Sequence, residues 1–127
     1  MTKLLDATNL GGLATFMPNK FLPVYNWLYY KEGYAKQLVF LLLDEFKIKK
    51  GDTVLDPFCG VGTTSLACKE KGVNSVAFDV NEVALFASKV KTREYNIEEL
   101  EEAVKKLFKS KFKRIDYKPQ LNLIKKA

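Results

Sequence analysis

The sequence predicts an α/β fold with an incomplete parallel sheet flanked by helices. The stretch "NSVAFDV" at 74–80 is mostly apolar, as a buried parallel strand is, and "TVLD" at 53–56 predicts a short strand before it. Helical patterns give the order helix and then β-α-β-α-α, which is typical of three-layer α/β proteins. A chain of 127 residues has room for one domain with a modest core.

The chain is expected to begin with an irregular segment followed by a buried helix. Two prolines and a pair of glycines interrupt residues 1–29, which favours irregular structure there. Residues 33–48 carry apolar side chains at helical spacing over a wide surface, so we expect this helix to be largely buried. A "KKGD" turn at 49–52 then leads into the first strand.

Local signals predict the ends of the three helices that follow the first strand. The helix "TTSLACKEK" is expected to have Thr63 or Thr64 near its N-terminal cap and to be closed by Gly72. The next two helices are expected to begin after the caps Asn81 and Asn96. The second of them has acids in its first turn and lysines in its last, which is favourable to the helix dipole.

The formal charge of +6 is concentrated near the C-terminus. Residues 1–96 carry 12 basic against 10 acidic residues, and 97–127 carry nine against five. We therefore divide the chain into an irregular segment, 1–32, a Rossmann-like core, 33–96, and a basic helix and tail, 97–127, where "RIDYKP" suggests a further strand. This tail could meet nucleic acid phosphates, or its lysines could form a solvated helix face.

The composition excludes several kinds of site and location. There is no histidine, which excludes His-based general bases, Ser-His-Asp triads and most zinc sites, so no metal site is expected. Two cysteines, Cys59 and Cys68, are too few for a disulfide framework and are interpreted as small packing residues. Because no secretory signal and no membrane-length apolar run is visible, a cytoplasmic location without membrane contact is expected.

The stretch "DPFCGVGTT" at 56–64 has the features of a ligand-binding turn. In a βαβ unit, ligands bind beyond the carboxyl end of the first strand, which here is Asp56. Gly60 and Gly62 have no Cβ, so the backbone can turn sharply and approach a ligand closely. The helix that starts near Thr63 directs free N–H groups to the same place. Together these features predict a cofactor pocket, although a plain tight turn is the alternative.

A second acid, Asp79, ends the next strand and suits the paired hydroxyls of a ribose. The alternative is a structural role at the start of the helix that follows Asn81. A phosphate-binding loop is excluded because no G-K-[ST] follows the glycines, and a dinucleotide fingerprint is disfavoured because Ser65 replaces its third glycine. An acid beside the glycines repels a pyrophosphate but suits a ligand with an ammonium group, such as S-adenosylmethionine.

The stretch "VLDPFCGVGTTSLACKEKGVNSVAFDVNEVALFASKVKT" resembles the cofactor-binding half of S-adenosylmethionine-dependent DNA methyltransferases that act on adenine N6 or cytosine N4. The resemblance extends over roughly residues 18–93 and implies a partial Rossmann-like methyltransferase fold with S-adenosylmethionine as cofactor. The residues matching the motif around the methionine moiety are Asp56, Phe58, Gly60, Gly62 and Thr63. The residues matching the ribose acid and the positions beside the adenine are Asp79, Val80 and Asn81.

The upstream stretch "NKFLPVYNWLYYKEGYAKQLV" resembles the family segment that closes over the methionine end of the cofactor. Within it, Tyr30, Glu32 and Gly33 are predicted to contact the cofactor. The alternative is that these aromatic residues pack beneath the sheet.

The sequence departs from the family at the catalytic motif, [DNS]-P-P-[YFW], because it contains no Pro-Pro pair. Asp56-Pro57-Phe58 belongs to the cofactor motif, and the "DYKP" at 116–119 does not fit, so no catalytic residue is assigned. We therefore expect the cofactor-binding part of a split or truncated enzyme that is inactive without a partner chain. Two short parallel strands also predict an open sheet edge, where that partner or a second copy would pair.

Two other functions remain open from the residues alone. One is a non-catalytic remnant or self-associating module that binds the cofactor or nothing. The other is the cofactor part of an RNA methyltransferase, since D-P-F-C-G-x-G is also seen in tRNA guanine methyltransferases. Contact with DNA is expected only together with the partner.

Overall fold

The structure, a computed structural model, describes residues 8–111. The described residues divide into two units, 8–93 and 94–111. In chain order the first unit has three 3₁₀ helices at Thr8–Ala14, Met17–Phe21 and Tyr25–Trp27, helix α1 at Lys36–Glu45, strand β1 at Thr53–Asp56, helix α2 at Thr63–Lys71, strand β2 at Asn74–Ala77 and helix α3 at Glu82–Thr92. The second unit has helix α4 at Ile97–Lys109.

The two strands form a parallel pair, which confirms the predicted α/β fold with an incomplete parallel sheet. Their register places Thr53 opposite Asn74 and Asp56 opposite Ala77. β2 is shorter than the predicted 74–80, because Phe78 leaves the strand and its carbonyl accepts a hydrogen bond from the Cys59 N–H in the turn after β1. The carboxyl ends of both strands therefore meet at one edge of the sheet.

The core lies between α1, α2 and one face of the sheet. Val39 and Leu43 of α1 pack with Ala67 and Cys68 of α2, and Val54 of β1 packs against this cluster. The small side chains of α2 let α1 approach it closely. Cys68 is fully buried in this contact, in agreement with a packing role.

The prediction of a largely buried first helix is only partly correct. Leu41 and Leu42 of α1 and the following Phe46 are exposed. On the sheet, Leu55 and its register partner Val76 are exposed on the face opposite to Val54. These apolar side chains have no covering layer among residues 8–111, so the described part of the chain has two of the three expected layers.

The helix ends follow the local signals. Asn81 caps α3, because its Oδ1 accepts the N–H groups of Val83 and Ala84 at 3.0 and 3.2 Å. Gly72 ends α2 in the left-handed conformation, with φ of 69°. Thr63 is the first residue of α2 and lies next to the capping position, Gly62, which has no side chain to donate or accept.

In the second unit, Asn96 caps α4 as predicted. Its Oδ1 accepts the N–H groups of Glu98 and Glu99 at 2.9 and 3.2 Å.

The N-terminal segment that was expected to be irregular contains 3₁₀ turns and neither an α-helix nor a strand over residues 8–29. The strand suggested at 114–119 lies outside the described residues. None of the helices within 8–111 has the length and apolar character that crossing a membrane requires.

Candidate cofactor-binding site

A small cavity forms where residues 30–34, here called the cover segment, meet residues 57–62, the glycine turn between β1 and α2. Its volume is about 20 Å³, which is room for about one water molecule. The residues lining it are Tyr30, Glu32, Gly33, Tyr34, Phe58, Cys59, Gly60, Val61 and Thr63. The structure thus brings together two stretches of sequence that were expected to share a site.

The ring of Tyr30 lies directly over the glycine turn. Gly60 has φ of +49°, and a Cβ on it would lie 2.9 Å from a Tyr30 ring carbon. Gly33 is equally constrained, because a Cβ there would lie 2.9 Å from the ring of Phe16. The Gly33 N–H donates to the Tyr30 carbonyl at 3.0 Å, which fixes the turn of the cover segment. Glycine at 60 therefore permits the close contact between the two segments, and glycine at 33 permits the cover segment to pack against Phe16.

Gly62 is required by packing between helices. Its φ is +80°, and a Cβ there would lie 2.8 Å from the Cβ and 3.0 Å from the Cα of Ser88 on α3. Gly62 does not line the cavity, whereas Thr63, which follows it, does. The missing side chain at 62 thus allows α3 to approach the beginning of α2. The sequence argument gave Gly60 and Gly62 the same role, a close approach of the backbone to a ligand. In the structure Gly60 lines the cavity beneath Tyr30, and Gly62 packs against Ser88.

Asp56 is held by hydrogen bonds at the end of β1. Its Oδ2 accepts from the Tyr34 hydroxyl at 2.8 Å, and its Oδ1 accepts from the Phe58 N–H at 3.1 Å. The Tyr34 hydroxyl also shares a hydrogen bond with Thr64 Oγ1. Burial raises the pKa of Tyr34 above its ordinary value, so the hydroxyl keeps its proton as a donor. Sequence reasoning missed Tyr34 and Thr64, and no local pattern joins them to Asp56.

Asp79 connects the glycine turn to the start of α3. Its Oδ2 accepts from the Gly60 N–H and its Oδ1 from the Asn81 N–H, both at 2.7 Å. The suggested structural role for Asp79 is therefore present, although the cap of α3 is Asn81 itself. Each carboxylate oxygen has two acceptor sites, so both oxygens can still accept from ligand hydroxyls.

Apolar side chains around these acids are exposed. Val80, which follows Asp79, is 101% exposed, and Phe58, which follows Asp56 and Pro57, is 83% exposed. Phe78 is also exposed. Val80 and Phe78 therefore form the exposed apolar surface beside Asp79. The side-chain oxygen of Asn81 is used to cap α3. An aromatic ligand ring placed on that apolar surface would cover side chains that this chain leaves in water.

Neither cysteine has the properties of a nucleophile. Burial, and then the charges of Asp56 and Asp79, raise the pKa of the Cys59 thiol, and burial and Asp56 raise that of Cys68. Both side chains are buried. A raised pKa keeps a cysteine in the unreactive thiol form, which agrees with packing roles for both.

A larger groove of about 450 Å³ runs between α1 and β1. Most of its lining side chains are apolar, including Leu42, Phe46 and Leu55, while Tyr34 and Asp56 lie among its few polar ones. Within residues 8–111, β1 pairs with β2 alone. The groove therefore borders a strand that has an open edge.

Comparison with known proteins gives one family. Residues 29–90 match the DNA methylase family of the N6/N4 type. The type II methyltransferase M.BsoBI of Geobacillus stearothermophilus is 42% identical over 108 residues, which cover 84% of this chain and 21% of that protein. No solved structure was found to match the chain.

Two further relatives have the same printed activity. The type II methyltransferase M.AvaI of Nostoc sp. is 37% identical over 68 residues, covering 54% of this chain and 14% of that protein. The type II methyltransferase M.MjaII of Methanocaldococcus jannaschii is 38% identical over 72 residues, covering 56% and 13%. The chain thus spans about a fifth or less of the length of these relatives.

Proposed function

We propose that this chain, whose residues 29–90 match the N6/N4-type DNA methylase family, is a member of that family and binds S-adenosylmethionine between its cover segment and its glycine turn. It would act as the cofactor-binding part of a DNA amino-methyltransferase. The observation that carries the proposal is the single cavity lined by Tyr30, Glu32 and Gly33 from one segment and by Phe58 and Gly60 from the other.

The charges around the cavity fit this cofactor. Glu32 lines the cavity itself, Asp56 ends β1 and lines the neighbouring groove, and Asp79 follows the end of β2 and holds the Gly60 N–H. S-adenosylmethionine has a sulfonium and an ammonium group, and a nearby carboxylate favours such cations. A pyrophosphate would be repelled by the same three acids. The present volume of about 20 Å³ is too small for the methionine chain, so binding requires the Tyr30 ring to move off the glycine turn.

The other groups of the cofactor have matching partners. Asp79 has free acceptor capacity for the two ribose hydroxyls while it holds Gly60. Val80 offers an exposed apolar surface for the adenine. When bound, S-adenosylmethionine supplies a methyl group for direct transfer to an amino nitrogen. The residues of this chain bind and orient the cofactor, and holding the methyl group in place lowers the entropy cost of the transfer.

The acceptor site would come from polypeptide outside these 127 residues, whether continuous with them or separate. The sequence has no Pro-Pro pair for the [DNS]-P-P-[YFW] motif. The groove beside β1 and the exposed Leu55 and Phe46 are a suitable place for further strands and helices to pack. We propose that a catalytic-half polypeptide packs in this groove, and a second copy of this chain is the alternative occupant. The chain would contact DNA only in the complex with the catalytic half. The family that residues 29–90 match is described as DNA methylase, which favours DNA over RNA as the substrate.

Calorimetric titration of S-adenosylhomocysteine into the purified chain tests the proposal. We expect saturable binding in the micromolar range, weakened about tenfold or more by Asp79→Asn, since one ribose contact is worth about 1.5 kcal/mol. Asp52→Asn is the matched control, because Asp52 is an exposed acid that accepts the Lys49 N–H just before β1, at the opposite end of that strand from Asp56. A chain that is folded by circular dichroism and shows no binding at millimolar ligand would overturn the proposal.

A further inference from the structure

We infer that Tyr34 is a positioning residue for Asp56, and that a hydrogen-bond chain from Thr64 through Tyr34 orients the Asp56 carboxylate toward the ammonium group of the cofactor. This inference rests on the proposed function, since it concerns the same site. It assigns a role to two residues, Tyr34 and Thr64, that the sequence motif does not include.

The chain of hydrogen bonds joins three separate parts of the fold. Tyr34 ends the cover segment, Asp56 ends β1 and Thr64 lies in the first turn of α2. The Tyr34 hydroxyl lies 2.8 Å from Asp56 Oδ2 and is also bonded to Thr64 Oγ1. Thr64 is buried and Tyr34 is half-buried, so water competes little for these bonds.

The donors can be assigned from proton counts. An ionised carboxylate only accepts hydrogen bonds, and a tyrosine hydroxyl has one proton. Tyr34 must therefore donate to Asp56, and Thr64 must donate to the Tyr34 oxygen. The direction of the chain is Thr64 to Tyr34 to Asp56. A Tyr34 hydroxyl that accepts one hydrogen bond is a better donor in the other.

Tyr34 is fixed at its backbone as well as at its hydroxyl. Its carbonyl accepts a hydrogen bond of 2.9 Å from the side-chain amide of Asn19, and Asn19 Oδ1 accepts the Lys36 N–H at 2.9 Å. Asn19 is 0% exposed. Tyr34 is thus held at its backbone carbonyl by a buried amide and at its hydroxyl by the end of β1, which makes it a rigid support for a carboxylate.

Both oxygens of Asp56 are consequently oriented. Oδ2 is held by Tyr34 and Oδ1 by the Phe58 N–H at 3.1 Å. The remaining acceptor sites then have a fixed direction, which lowers the entropy cost of binding an ammonium group. Because Tyr34 is the last residue of the cover segment, its hydrogen bond to Asp56 also ties that segment to the end of β1.

Two variants and two ligands test the inference. S-adenosylhomocysteine has the ammonium group, and 5′-methylthioadenosine has the adenosine without the amino-acid part. We expect Tyr34→Phe to weaken S-adenosylhomocysteine about tenfold, which is the effect of one hydrogen bond to a charged group, and to leave 5′-methylthioadenosine within about twofold. Thr64→Val should likewise lower the affinity for S-adenosylhomocysteine relative to that for 5′-methylthioadenosine. Thr64→Ser, which keeps the hydroxyl, should have the wild-type ratio of the two affinities.

Tyr29→Phe is the matched control, because Tyr29 is an exposed neighbour of the cover segment. Equal loss of both ligands in Tyr34→Phe, or loss of neither, would overturn the inference. Should Tyr34→Phe fail to fold, the ligand ratio in Thr64→Val against Thr64→Ser decides. Failure of the wild-type chain to bind S-adenosylhomocysteine would instead overturn the proposed function. The two failures are therefore distinguishable.

Discussion

The Asp79 carboxylate accepts a hydrogen bond of 2.7 Å from the Gly60 backbone N–H. The acid after the second strand thereby holds the turn that follows the first strand. Its other oxygen accepts the Asn81 N–H at the same distance, so one side chain fixes both loops at the carboxyl edge of the sheet. A residue assigned to the ribose thus also has a structural role, and tests of the ribose contact must separate the two.

The first prediction separates these roles of Asp79. Asp79→Asn keeps one carbonyl oxygen, so one of the two backbone N–H groups loses its acceptor, and the free energy of unfolding should fall by about 1–3 kcal/mol. The ribose role predicts a further effect on ligand choice. S-adenosylhomocysteine should lose its affinity advantage over its 2′-deoxyribose analogue in the variant and keep it in the wild type. An unchanged ratio would leave Asp79 with the structural role alone.

The second prediction concerns the contact between Gly62 and Ser88. Gly62→Ala should be strongly destabilising, by roughly 3 kcal/mol or more, because it adds a clash to a strained φ of +80°. Gly51→Ala is the matched control, since Gly51 has φ of +94° with nothing within 4 Å of its Cβ position. It should cost only about 1–2 kcal/mol. Urea denaturation measures both, and equal losses would contradict the packing role of Gly62.

The third prediction concerns Lys91, a lysine of α3 that is only 6% exposed. Its Nζ donates to the Tyr25 carbonyl at 3.1 Å, and burial lowers its pKa to about 8. Below pH 8 both the folded and unfolded chains hold the proton, and the buried ammonium costs stability. Above pH 8 the folded chain releases it first, so the free energy of unfolding should rise with pH, by at most about 3 kcal/mol up to the ordinary pKa near 10.5.

Denaturation of Lys91→Met between pH 7.5 and 9.5 measures this contribution. The free energy of unfolding should rise with pH over that range in the wild type and stay flat in the variant. Lys89→Met is the matched control, because Lys89 is an exposed lysine of the same helix and should leave the rise unchanged. Parallel pH profiles for wild type and Lys91→Met would mean that the Lys91 ammonium is hydrated in the folded chain.

Local signals in the sequence were sufficient for the elements that carry the site. The strand at 53–56 and the caps at Asn81 and Gly72 were predicted correctly, because each depends on a few neighbouring residues. The start of α2 was predicted to be near Thr63, and the structure places the capping position one residue earlier, at Gly62. Exposed apolar residues such as Leu55 could not be predicted, since a continuous apolar strand pattern does not reveal which face is covered.

The contacts that were missed join residues far apart in the chain. Tyr34 reaches Asp56 across 22 positions, and Lys91 reaches Tyr25 across 66. Neither pair has a local pattern, and only the packing of α1 and α3 brings them together. The contact of Gly62 with Ser88 was missed for the same reason, because Ser88 lies on another helix. That the two stretches share a site was predictable only through the family resemblance, because no local pattern joins them.

The seven glycines of the chain provide the most direct test of the central claim, that S-adenosylmethionine binds between the cover segment and the glycine turn. Their backbone amides can be followed by ¹H–¹⁵N NMR while S-adenosylhomocysteine is added. The account predicts large shifts at Gly33 and Gly60, with Gly62 affected beside them, and little change at Gly11, Gly12, Gly51 and Gly72. Saturating ligand that leaves Gly33 and Gly60 unmoved, or that shifts Gly51 and Gly72 instead, would contradict it.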